Sequence, residues 1–118
     1  MGYYEFPTRS HRWQKVDSNS INLAVDSNYI ISTDDETADL FLPSTAQPGD
    51  FVKIISDSGA TWKINQSANQ QIVFGDQLST LGNTGYLLST MQGNSLELVF
   101  LSDNRWIVAS SQGVFEII

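Results

Sequence analysis

The chain is built of short apolar runs separated by polar turns. Leu40-Phe41-Leu42 stops at Pro43, Phe51 to Ile55 is rich in β-branched residues, and Thr61 to Asn65 alternates apolar with polar. Alternation with period two marks a strand that buries one face. Between these runs, Pro48-Gly49-Asp50 spells a turn, because proline presets φ and glycine accepts φ > 0. The same pattern predicts strands over 12–16, 21–25, 29–32, 71–74, 86–89, 95–101, 105–109 and 114–118. Ser102-Asp103-Asn104 sits where a hairpin turn belongs, and 77–85, rich in Gly, Ser, Thr and Asn, reads as a surface loop. No stretch carries a 3.6-residue apolar stripe; the nearest, 34–40, is too short. About ten short strands spaced roughly 8–12 residues apart predict an all-β fold, a single antiparallel β-sandwich or barrel. Antiparallel neighbours are expected because the connections are short.

Residues 1–11 break the pattern. Tyr3, Tyr4 and Phe6 are apolar without a clear period, and Pro7 interrupts them. The chain therefore divides into an extended N-terminal arm, 1–11, and a β-domain, 12–118. Three aromatics argue that the arm packs on its own body or on another subunit.

Composition narrows the function. With 118 residues, 41% of them hydrophobic and thirteen aromatic, the chain can bury one modest core. It has no cysteine, which excludes disulfides and thiolate metal sites. The net charge of −7 is uneven: residues 1–15 carry Arg9, Arg12 and Lys15 against Glu5, whereas the remainder holds twelve acids against Lys53, Lys63 and Arg105. An acidic body argues against a nucleic-acid partner. No segment approaches the ~20 apolar residues of a membrane span, so membrane insertion is not expected.

Candidate chemistry is sparse. His11 is the only histidine and has no carboxylate or serine at motif spacing, so neither a triad nor a histidine metal site is expected. Asp34-Asp35-Glu36, with Asp26 and Asp39 nearby, could offer oxygen ligands to calcium but lacks EF-hand spacing. A solvated acidic loop that protects a strand edge is the plainer expectation. Gly82-Asn83-Thr84-Gly85 lacks the Lys-Ser/Thr ending of a phosphate loop. No catalytic residue, cofactor or metal is therefore expected. Trp62 and Trp106 each follow a turn and precede a β-branched pattern; the bland expectation is core packing. Beside the amides Asn65 and Gln66 they would also suit a sugar-binding surface, with rings stacking and amides hydrogen bonding.

Several ordered pieces carry a family likeness: W-x-x-V at Trp13–Val16, NYII at Asn28–Ile31, L-x-LPSTAQPGDFVKI at Leu40–Ile54, W-x-IN-x-S-A-N-Q-x-I-x-FG at Trp62–Gly75, and S-x-EL with WIVASSQG between Ser95 and Gly113. Together they resemble a β-module of bacteriophage virion-surface proteins, namely tail-fibre terminal domains and capsid decoration proteins. The resemblance covers nearly everything but the arm. It implies a non-enzymatic homotrimer on the virion surface, assembled in the host cytoplasm. With only a short arm and no shaft repeats, a capsid decoration (cement) protein is the leading expectation. Its arm would dock through Tyr3, Tyr4, Phe6, Arg9 and Arg12 on the major capsid protein or another virion protein. A fragment of a longer chain would instead fit a tail-fibre module that recognises host cell-surface glycan, and a bacterial adhesion domain is a third alternative.

Overall fold

A computed structural model describes residues 12–33, 37–57 and 61–118. Twelve strands and no helix occur among them. In chain order they are β1 (Trp13–Val16), β2 (Ser20–Asn22), β3 (Ser27–Ile31), β4 (Thr37–Phe41), β5 (Phe51–Ser56), β6 (Thr61–Asn65), β7 (Gln71–Phe74), β8 (Gln77–Leu78), β9 (Tyr86–Ser89), β10 (Ser95–Ser102), β11 (Arg105–Gln112) and β12 (Phe115–Ile117). The all-β expectation holds, and β6, β7 and β9 match their predicted limits.

The strands form two sheets. One has seven strands in the order β1-β3-β5-β10-β11-β7-β8, and the other has five in the order β12-β9-β6-β4-β2. Odd and even strands of the first half therefore lie in opposite sheets. The chain winds through three coils, β1–β2, β3–β4 and β5–β6, and each strand pairs in parallel with its counterpart one coil away. This corrects the antiparallel expectation: β7 also runs parallel to β11, and half the strand pairs are parallel. The physical reason is that a short connection forces antiparallel pairing only when consecutive strands share a sheet. Here the chain returns through the opposite sheet.

The second half reverts to hairpin logic. β10 and β11 are antiparallel neighbours joined through Asp103 and Asn104, both with positive φ (53° and 61°). Two left-handed residues in a two-residue loop match the right-handed strand twist. Upstream, Gly49 has φ 95°, and the Asp50 amide donates to the Gln47 carbonyl at 2.9 Å, closing the predicted turn. The loop reading of 77–85 holds from Ser79 onward, whereas Gln77–Leu78 forms β8.

Alternation decides what fills the space between the sheets. Val52 and Ile54 of β5, Trp62 and Ile64 of β6, and Leu96, Leu98 and Phe100 of β10 all point inward and are buried. Tyr29, Ile31, Leu40, Ile72, Leu87 and Trp106 join the same cluster. The Trp106 ring meets Phe100 edge-on at 5.2 Å, and Trp62 lies 5.6 Å from Phe115. The apolar C-terminal residues thus have a place: Phe115 and Ile117 pack on the core. Ile118 is 44% exposed and is fixed by its backbone, its amide donating to the Tyr86 carbonyl at 3.0 Å.

Truncating a buried tryptophan removes both its transfer energy and its packing partners. Trp106→Ala should destabilise the fold by about 3–5 kcal/mol in urea unfolding. A loss below about 1 kcal/mol would contradict the core placement.

Candidate interaction surfaces

The core-packing expectation for Trp62 and Trp106 holds, and the alternative, a tryptophan–amide sugar surface, does not form. Trp62 and Trp106 lie in different sheets and are both 0% exposed, so neither ring can stack on a ligand. The amides beside them are committed to the structure. Asn65 donates through Nδ2 to Asp39 Oδ1 at 3.1 Å. Gln66 is buried, and its Nε2 donates to the carbonyls of Gln70, Thr80 and Gly82 at 2.7, 2.9 and 2.8 Å. Its Oε1 accepts from the Ser79 hydroxyl, which in turn accepts from the Ile72 amide at 2.8 Å. Gly85 lets the loop approach: a Cβ there would collide with the Thr80 carbonyl. Gln66 thus ties the loop 79–85 to the body. The sequence showed the amides, but only the fold shows that backbone carbonyls saturate them.

Of the arm residues expected to bind a partner, Arg12 is described and exposed; its carbonyl accepts from Asn28 Nδ2 at 3.1 Å. Tyr3, Tyr4, Phe6, Arg9 and His11 lie outside the described residues, as does the acidic run Asp34–Glu36. Asp26 and Asp39 are not paired into a metal site: Asp26 Oδ1 accepts from the Phe51 amide, and Asp39 accepts from Asn65. Among the described residues no group of three His, Asp or Glu side chains is placed to hold a metal ion.

One groove, about 490 Å³, runs between the segments Asn22–Val25 and Leu42–Thr45. None of its lining residues is ionisable, so it supplies no general acid or base.

The two outer faces of the sandwich differ sharply. Paired residues on neighbouring strands point to the same face. On the five-stranded sheet, one outward row reads Ser20, Asp39, Lys63, Leu88, Glu116. Lys63 Nζ sits 4.2 Å over the Tyr86 ring, and the hydroxyls of Thr37 and Thr61 meet at 3.0 Å. That face is mainly polar, although Leu88 and Phe41, at 39% exposure, also lie on it.

The outward row of the seven-stranded sheet reads Phe51, Val99, Ile107, Val73, Leu78. It is wholly apolar and crosses five adjacent strands, a width of about 19 Å at the usual strand spacing. Ile30 and Ile55 pair on the same outward face nearby, and Leu101, at 41% exposure, extends it on β10. A second row holds Trp13, Asn28, Lys53, Glu97 and Ser110. A shallow depression of about 220 Å³ lies there, bordered by Trp13, Lys53 and Glu97. Trp13, at 40% exposure, is therefore the tryptophan that does meet solvent. Sequence reasoning missed this face because each strand looked ordinary alone; its signal was the apolar residue at outward positions in several strands at once.

No family model matches the chain, and no curated protein matches it.

Removing the Gln66 amide takes a partner from the Thr80 carbonyl and the Ser79 hydroxyl, while the Gln70 and Gly82 carbonyls keep the Gly82 and Gly85 amides. Gln66→Ala is expected to cost about 1–3 kcal/mol in urea unfolding and to raise hydrogen exchange across 79–85. Unchanged exchange there would show that the loop does not depend on Gln66.

Proposed function

We propose that this protein is a non-enzymatic assembly module of the virion-surface kind, a homotrimer that buries the outer face of its seven-stranded sheet between copies. The single observation carrying this is the apolar row Phe51, Val99, Ile107, Val73, Leu78 on an outward face. Contiguous apolar surface is costly to leave in water, and a large exposed patch marks an interaction site. The opposite outer face has no such continuous apolar row: Phe41 and Leu88 lie there among Asp39, Lys63, Glu116 and the Thr37–Thr61 pair. Lys53 lies directly opposite Glu97 on the same face, a pair of opposite charges that a second copy could meet in complementary fashion.

The virion setting, with capsid decoration preferred to a tail-fibre tip, draws on the likeness described for the segments between Trp13 and Gly113. A capsid decoration protein needs a stable body and self-association, and no reaction. Host-glycan recognition has less support, because the two rings chosen for it are buried and Trp13 borders the apolar face instead.

The test is a charged double variant on the outward row. Val99→Lys with Ile107→Lys adds two cations without touching the core, because both side chains point away from it. In sedimentation velocity the variant should run as a 13.1 kDa monomer with an unchanged β circular-dichroism spectrum, while the parent runs as an oligomer. Equal sedimentation of parent and variant as the same oligomer would overturn the assignment of the interface.

A further inference from the structure

The apolar row on the outer face is not symmetric about the sheet. On the β3 side it stops at Asp26, whose amide donates to the Phe51 carbonyl at 2.7 Å and whose Oδ1 accepts from the Phe51 amide. On the other side it runs to Leu78 on β8, the last strand in the order, and Leu78 is 57% exposed. The apolar surface continues past that strand. Ser79 is buried, and the Thr80 amide donates to the Ile118 carbonyl at 2.8 Å, next to β12 of the other sheet. Residues 79–81 therefore cross the side wall between the two sheets, and Leu81 stands there at 61% exposure. Three residues of chain reach at most about 10 Å, so Leu78 and Leu81 belong to one apolar corner.

The backbone that carries Leu81 is pinned on both sides of it. Gln66 Nε2 donates to the carbonyls of Thr80 and Gly82, and the Gly82 amide donates to the Gln70 carbonyl at 2.9 Å. Gly82 takes φ 94°, which turns the chain immediately after the leucine. An exposed leucine on a fixed backbone adds little to the fold of its own chain, because it stays in water. It is a preformed anchor, since its backbone is ordered before any partner arrives.

We propose that this corner, Leu78 with Leu81, is the counterpart of the outer face, and that in the assembly it packs on Phe51 and Val99 of the next copy. The inference rests on the outer-face reading and names the second surface that reading requires. Copies in a closed ring of three meet through two different patches, because only a two-fold contact joins a patch to itself. The outer face of one copy must then meet something other than the outer face of its neighbour. The corner protrudes where the face is flat, and it adjoins the face at an angle. Each copy can thus give its corner to one neighbour and its face to the other. No ionisable side chain occurs from Gln77 to Gly85, so seating the corner on an apolar row buries no charge.

Mixing two variants tests the contact. Leu78→Asp with Leu81→Asp alters only exposed side chains, and the β circular-dichroism spectrum should not change. In sedimentation velocity this corner variant should dissociate about tenfold or more readily than the parent, as the Val99→Lys, Ile107→Lys face variant does. Each variant keeps the surface that the other has lost. Equal amounts mixed, at concentrations where each alone sediments as a 13.1 kDa chain, should form one-to-one pairs. A corner variant that assembles as the parent does, while the face variant does not, would overturn this inference and leave the outer-face reading standing. A mixture that stays monomeric would also overturn it, since the two lesions would not lie across one contact. Assembly retained by both variants, or a parent that is itself monomeric, would remove the outer-face reading as well.

Discussion

Each strand of the first half must bury one face, yet it cannot pair with the strand that follows it, because that strand lies in the opposite sheet. Backbone groups can then be satisfied only one coil away. This constraint organises the molecule. It makes the ladders of β1 to β6 parallel, places inward side chains such as Ile54, Ile64 and Leu40 in stacked layers, and delivers Trp62 to the middle of the core. Among the described residues it also places the first coil at one end of both sheets. The antiparallel half, β9 to β12, closes the other side by extending both sheets at once.

Polar groups hold the places where this winding must stop. Asn94 is buried where β10 begins; its Nδ2 donates to Ser89 Oγ and to the Val114 carbonyl, and its own carbonyl accepts from the Ser56 amide at 3.3 Å. Side chain and backbone of this one residue thereby link the ends of both sheets, and Gly113 leaves room for it, since a Cβ there would strike the Asn94 amide. Gln66 does the corresponding work for the loop after β8. Side chains that look like ligand-binding amides in the sequence are thus spent on buried carbonyls, which would be costly to leave unpaired.

Strand existence was legible from residues such as Thr61 to Asn65, where alternation alone gives both limits and facing. The hairpin at Asp103-Asn104 and the turn at Gly49 were legible from their chemistry. Sheet membership was not. Phe51-Val52-Lys53-Ile54 alternates identically whether its neighbour is parallel or antiparallel, and nothing local says that β4 belongs to the other layer. The same gap hid the candidate surface. Val99, Ile107 and Val73 are distant in sequence, and only the register of β10, β11 and β7 sets them side by side. Trp62 and Trp106 were legible as core residues from their size and strand position, and their inward register bears that out while removing the alternative surface role.

The account stands on the apolar outer face being covered by another copy. Light scattering on a sizing column, applied to the unaltered protein, tests that most directly. The predicted result is a mass three times that of the 13.1 kDa chain, held on dilution into the low micromolar range. A 13.1 kDa species across the whole concentration range would mean that Phe51, Val99, Ile107, Val73 and Leu78 face water in the free protein, and would contradict it.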